Sequence, residues 1–271
     1  RNWQKRLNDD GQPQELRPLI AQFNALLERL AVAYRQMEAF NADVAHELNT
    51  PLTTLISSCE LALRKPRSEA ELREVLASNL EDLRRMAGIV ADMLFLSQAD
   101  RGQGARLAPW ASLAALAHEV IDFHEAALQE ADLQVVVQGD AAAEVDARLL
   151  RRALSNLLGN ATRYAQRGST ITVQIGARPC AHHGGAGDVA LAVLNRGPTI
   201  APADLPRLFD RFYRADAARS QADRNHGLGL AIVAAIARMH GGRCFAESEG
   251  GFTRIGLELP DSPSPPRDSP A

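Results

Sequence analysis

From Leu16 onward, apolar residues recur at steps of three and four through Leu19, Phe23, Leu26, Leu30, Ala33, Met37, Phe40 and Val44. That spacing lays one apolar stripe along a helix and, sustained over about four heptads, reads as a coiled-coil or bundle seam. The alternation breaks where Phe40, Val44, Leu48 and Leu52 follow one another four apart, and Leu55, Cys59 and Ala62 restore it. Such a stutter locally unwinds a supercoil. The helix is predicted to end near Lys65-Pro66, where Ser68 and Glu71 supply a capping box for the next one. Leu72, Leu76, Leu80, Leu83, Val90 and Leu94 give this second helix its own stripe, to about Ser97. Two such helices joined by a tight turn make an antiparallel hairpin that cannot bury both stripes alone. A homodimeric four-helix bundle is therefore expected.

After "ADRGQGAR", residues 99–106, the periodicity changes. It predicts a helix from about Ser112 to Ala131, a strand at "LQVVVQG" and a helix from Asp146 to Ala165. Strands are predicted at "STITVQIGA", "DVALAVLN", "GRCFAESE" and "FTRIGLELP", with a helix over Leu228 to Met239. Antiparallel strands with helices bunched between them suggest an α/β sandwich, with helices on one face of a mixed sheet. The tail "DSPSPPRDSPA" is rich in proline and serine and is expected to be disordered.

The 271 residues are enough for two domains with ample core, and a net charge of −3 gives no electrostatic case for a nucleic-acid partner. Three isolated cysteines, Cys59, Cys180 and Cys244, form no paired framework and suit a reducing compartment. No apolar run reaches the eighteen or so residues of a membrane span. The abrupt opening "RNWQKRLNDD" is read as the start of a soluble piece of a longer protein.

Candidate chemistry sits in five places. "FNADVAHELNTPLTTL" puts His46, Glu47 and Thr50 on the first helix just before Pro51, whose missing amide costs about 3 kcal/mol in a helix interior. A zinc site of the H-E-x-x-H form is excluded, because the fourth position after His46 is Thr50. "NLLGNATRY" sets Asn156 and Asn160 one turn apart, with Arg163 and Tyr164 beyond them. Carboxamide oxygens at that spacing suit a shared metal ion or phosphate cluster, and the arginine suits phosphate charge. "VLNRGPTI" ends a strand in Asn195 and Gly197, and "HGLGLAIV" opens a helix with Gly227 and Gly229, whose amides suit an anion. Cys180, His182 and His183 in "PCAHHGGAGD" are read as a solvated hairpin loop, with soft-metal binding as the minor alternative.

Taken together and in this order, these stretches resemble two-component sensor histidine kinases. "FNADVAHELNTPLTTL" resembles their phosphoacceptor box; "NLLGNATRY", "VLNRGPTI", "LPRLFDRFYRAD" and "HGLGLAIV" resemble the N, G1, F and G2 boxes of their ATP-binding domain. "QELRPLIAQFNALLERL" is similar to the closing helix of a HAMP relay, and the G1 and F boxes are similar to those of the heavy-metal-responsive subgroup.

The resemblance implies an ATP-binding domain of the Bergerat (GHKL) type behind the dimeric bundle. It implies the end of HAMP over 1–34, the phosphotransfer hairpin over 35–99, a linker over 100–106, the catalytic domain over 107–260 and the tail over 261–271. His46 would be phosphorylated from ATP and would pass the phosphoryl group to an aspartate of a response-regulator receiver domain. Glu47 would be the general base, and Thr50 would position water for dephosphorylation of the regulator. The alternative is a weak or silent dimeric scaffold that docks the regulator. ATP and Mg2+ would be held by Asn156, Asn160, Arg163, Tyr164, Asn195, Gly197, Thr199, Ile200, Phe209, Arg211, Phe212, Arg214, Gly227, Leu228, Gly229 and Leu230, with Asn160 on the metal. The full-length protein would be anchored in the inner membrane upstream, with this portion in the cytoplasm. Three departures stand out: Asn195 and Thr199 replace residues of the usual D-x-G-x-G, Asn49 replaces a basic residue after the acceptor, and Arg163 replaces lysine.

Overall fold

The computed structural model describes residues 7, 13, 16–178, 188–214 and 226–260, without the side chains of 33, 36, 37, 39–41, 43, 177 and 178. Cys180, His182, His183, most of the segment between Tyr213 and His226, and the tail lie outside the described residues. The chain divides into two compact units, Arg1–Met86 and Ala87–Ala271.

In the first unit, helix α1 spans Arg17–Arg64 and helix α2, Glu69–Asp100, begins there. The predicted capping box closes the turn between them. The Ser68 amide donates to Glu71 Oε2 at 2.7 Å and the Glu71 amide donates to Ser68 Oγ at 3.3 Å. Two orphan donors are thereby satisfied, and the charge-stabilising bonds from Ser68 lower the Glu71 pKa. Inside the hairpin, Leu55 and Asn79 are buried, and Asn79 Nδ2 meets Cys59 Sγ at 3.3 Å. Among the described residues much of the two stripes stays open: Leu26 is 60% exposed, Leu76 66% and Leu83 52%. Helix α1 runs unbroken through Pro51.

The second unit opens with the last turns of α2. The end of α2, residues 87–100, belongs to this second unit. There Arg152 reaches Asp92 at 2.5 Å and lies over the Phe95 ring at 4.1 Å, while Arg211 reaches Asp100 at 2.5 Å. These are side-chain pairings that periodicity does not reveal. A two-stranded sheet of β1 (Ala108–Trp110) and β3 (Ala143–Val145) follows, antiparallel and too short to register in the sequence pattern.

The main sheet comprises β2 (Gln134–Gln138), β4 (Thr170–Arg178), β5 (Asp188–Arg196), β6 (Arg243–Glu249) and β7 (Phe252–Leu259). Its order is β2-β4-β5-β7-β6, with β2 parallel to β4 and every other neighbour antiparallel, the mixed sheet expected. Helices α3 (Leu113–Glu130), α4 (Ala147–Tyr164) and α5 (Gly229–Met239) pack with it. Ser112 caps α3 by accepting from the Ala115 amide, and Asp146 caps α4 by accepting from the Leu149 amide. Along α4, Leu149, Leu150, Ala153, Leu154, Leu157, Leu158 and Ala161 are buried. This apolar face fixes the helix on the core, and Asn156, Asn160 and Arg163 lie half-buried along its edge.

Buried His240, just past α5, ties two of these helices together. Its Nδ1 bonds the Ile236 carbonyl at 2.8 Å, and its Nε2 accepts from the Asp146 amide at 3.1 Å. The second bond requires a bare Nε2, so the imidazole is neutral with its proton on Nδ1. Burial lowers its pKa in the same direction, outweighing the raising effects of Ile236 and Asp146.

Candidate active site

A cavity of about 480 Å3 lies between α4, the end of β5, the loop after it and the start of α5. Its size is that of an ordinary small-molecule site, about 300 to 1,000 Å3. On the α4 wall stand Asn156, Asn160, Arg163 and Tyr164. Asn156 Nδ2 donates to the Arg152 carbonyl at 2.9 Å, which leaves Oδ1 as the atom offered to a ligand. A methyl group on Gly229 would come within 2.9 Å of that oxygen. Glycine at 229 thus lets the first turn of α5 approach the asparagine, giving an anion-friendly helix start beside a carboxamide acceptor.

Asn195 forms the floor. It is buried and stands opposite Thr253 across β5 and β7, both facing the cavity. Thr253 Oγ1 and Ser248 Oγ are 3.0 Å apart, and Ser248 Oγ also accepts from the Ile200 amide at 2.9 Å. The Thr199 hydroxyl accepts from the Gly251 amide at 3.2 Å. These bonds pin the loop after β5 to the turn between β6 and β7. Gly197 is required by close approach, because a Cβ there would lie 2.2 Å from the Tyr164 carbonyl oxygen.

Of the residues expected at the nucleotide, Asn156, Asn160, Arg163, Tyr164, Asn195, Thr199, Ile200, Arg214, Gly227, Gly229 and Leu230 line this cavity. Gly197, Phe209, Arg211, Phe212 and Leu228 do not. Leu228 is buried in the core, and Gly197 donates its amide to the Gly251 carbonyl instead. Arg211 turns to Asp100. Phe212 has a positive φ of 59° and donates its amide to the Gly227 carbonyl at 3.0 Å, so its role is to shape the backbone. Gly227 answers with φ 70°, and a Cβ there would lie 2.8 Å from the Phe212 backbone. Ser155, Gly159, Pro198, Ala201, Asp204, Leu208, Tyr213, Thr253 and Ile255 complete the lining, outside the residues expected at the nucleotide. Thr253 was findable in principle, because a strand that pairs with β5 must place a residue opposite Asn195; the register, however, is a tertiary fact.

In the first unit, His46 is exposed on α1 and Glu47 is half-buried beside it. The Thr50 hydroxyl donates to the His46 carbonyl at 3.1 Å, Thr53 donates to Asn49 at 2.8 Å and Thr54 donates to Thr50 at 3.2 Å. Three successive back-bonds thus surround Pro51, where the helix lacks an amide. Among the described residues no group of three or more His, Cys, Asp or Glu side chains is placed to hold a metal ion.

Comparison with known proteins matches residues 36–102 to the His Kinase A (phospho-acceptor) domain, and 145–263 to the histidine kinase-, DNA gyrase B-, and HSP90-like ATPase family. His46 falls in the first and the cavity in the second. The sensor histidine kinase CusS of Escherichia coli (strain K12) is 43% identical over 259 residues, covering 94% of this chain and 52% of CusS. This chain belongs to the sensor histidine kinases. Sensor protein IrlS of Burkholderia pseudomallei is 39% identical over 235 residues, covering 87% of the kinase chain and 49% of IrlS. The kinase chain spans about half the length of the curated relatives it matches. A crystal structure of histidine kinase ThkA in complex with response regulator protein TrrA has a TM-score of 0.65 at 21% identity, covering 87% of this chain and 64% of that one. At that identity the likeness establishes the fold.

Proposed function

We propose that the chain is the kinase portion of a two-component sensor, binding ATP in the cavity and phosphorylating itself on His46. A ring nitrogen of His46 attacks the γ-phosphorus, a P–N bond forms, the bond to the β,γ-bridging oxygen breaks and ADP leaves. Glu47 takes the imidazole proton and orients the ring. The phosphoryl group then moves to a carboxylate oxygen of a receiver-domain aspartate as the P–N bond breaks. Receiver partnership is supported by the ThkA complex with its response regulator. Thr50 would orient water when the regulator is dephosphorylated.

One observation carries the reading: a histidine in a phosphoacceptor domain is joined in one chain to a cavity lined by three asparagines, two arginines and a glycine-opened helix. Arg163 and Arg214 neutralise phosphate charge, and Asn195 with Thr253 would read the adenine edge. The oxygen donors fit Mg2+. Asn156 has its amide nitrogen occupied and its oxygen turned to the cavity, and Asn160 lines the same wall one turn on. Bound there through Asn160, Mg2+ would neutralise charge on the phosphates.

The exposed stripes of α1 and α2 support a homodimer, and relatives of twice this length support a longer, membrane-anchored whole of which this is the cytoplasmic portion. Incubation with ATP labelled at the γ-phosphate, with Mg2+, tests the reading. Label that is acid-labile, base-stable and lost in His46→Gln is expected. Wild type that takes no label would leave only a regulator-docking scaffold.

A further inference from the structure

Asp204 is the only acidic side chain on the cavity wall among the described residues. It stands at the start of a short 3-10 turn, Leu205–Arg207, where an aspartate ordinarily accepts from the amides that follow. Here its side chain makes no capping bond. Its Oδ1 accepts from the Tyr213 hydroxyl at 2.6 Å instead, and among the described residues its Oδ2 takes no hydrogen bond. Tyr213 also lines the cavity, and the Arg207 guanidinium backs its ring at 4.3 Å from the centroid. The bond between the Phe212 amide and the Gly227 carbonyl fixes the backbone just before it. The carboxylate is therefore aimed from two sides and has one oxygen in reserve.

A negative charge on the wall repels phosphate and selects a neighbour that donates hydrogen bonds. Phosphates belong with Arg163, Arg214 and the asparagines of α4, while Ile200, Ala201 and Leu208, which line the cavity from the same stretch of chain as Asp204, suit the flat face of a base. Between base and phosphates in a nucleotide lies the sugar, whose hydroxyls can donate. We propose that Asp204, oriented by Tyr213, accepts a hydrogen bond from the ribose and makes the site selective for ribonucleotides over deoxyribonucleotides. The inference rests on reading the cavity as the ATP site.

Isothermal titration of the dimeric chain with ADP, 2′-deoxy-ADP and 3′-deoxy-ADP tests it without turnover. A bond to a charged acceptor predicts that ADP binds at least about tenfold tighter than one of the deoxy forms. Asp204→Asn should bring that ratio below about threefold, with most of the change in the ADP affinity. Tyr213→Phe, which keeps the ring over Arg207, should give an intermediate ratio. Wild type that binds all three within twofold overturns the proposal even if a variant fails to fold. An Asp204→Asn variant that weakens all three equally overturns it too, by showing a structural role. Wild type that binds no ADP at all removes the nucleotide-site reading itself, and that outcome is distinct from binding without discrimination.

Discussion

His240→Leu should destabilise the second unit in a pH-dependent way. The histidine is buried and joins α5 to the amide that opens α4 through its bond to Asp146 N–H. Leucine fills comparable volume but accepts nothing. The Ile236 carbonyl keeps a partner, because the His240 backbone amide also donates to it at 3.2 Å; the Asp146 amide loses its own. One lost hydrogen bond and one stranded buried donor together cost about 2 to 3 kcal/mol. Burial lowers the folded-state pKa of His240, so the unfolded chain binds the proton more tightly. The contribution of His240 is thus full above the unfolded value of about 6.5 and is lost as pH falls toward the folded value, at up to about 1.4 kcal/mol per pH unit. The physical reason is plain: a proton on Nε2 would face the Asp146 amide with a second donor. Urea unfolding in a Trp3→Phe background, where Trp110 is the remaining tryptophan, measures the stability of this unit. The gap between wild type and His240→Leu should be about 2 to 3 kcal/mol at pH 8 and smaller at pH 5.5. His124, also lowered by burial, is present in both proteins and cancels from the difference. A gap that stays constant across this range would refute the neutral state assigned to the buried imidazole.

Gly197→Ala puts a methyl group against the Tyr164 carbonyl, and since both contacts are backbone it should destabilise the domain by about 1 to 3 kcal/mol and weaken ATP-analogue binding at least tenfold by titration. Leu30→Asp with Leu83→Asp places charge on the open stripes, and light scattering should report monomers; a persistent dimer would place the interface elsewhere. Asn195→Asp should raise the ratio of GTP-analogue to ATP-analogue dissociation constants about fivefold, since a charged acceptor binds an exocyclic amine about 1 kcal/mol better than a neutral one. An unchanged ratio would mean that Asn195 does not face the base.

The long elements were legible because their signals are local. Apolar periodicity gave both helices of the hairpin, Ser68, Ser112 and Asp146 marked helix starts, and Pro66 marked a stop. The three-residue strands β1 and β3 carry no periodicity to read, and the 3-10 turn at Leu205 is equally brief. At the site, Asn156 and Asn160 were readable from their spacing on one helix. Thr253 and Asp204 were not, since each acquires its place from a partner far along the chain or across a turn. The stretch Phe209 to Arg214 shows the limit of motif reading. Its residues alternate between cavity, backbone support and a pairing with α2, and nothing local distinguishes Arg214, which lines the cavity, from Arg211, which turns to Asp100.

The strand order carries a consequence for synthesis. β7, the last element among the described residues, lies between β5 and β6, and β6 has no other neighbour in the sheet. A nascent chain that has emerged only as far as residue 250 therefore has α4 and Asn195 but neither the floor partner Thr253 nor a docking place for β6. A product terminated before β7 would lack a complete cavity, so nucleotide binding should arrive only once residues 252–259 are free to enter the sheet. Nucleotide binding by arrested chains of graded length would then rise in a single step as residues 252–259 clear the exit tunnel.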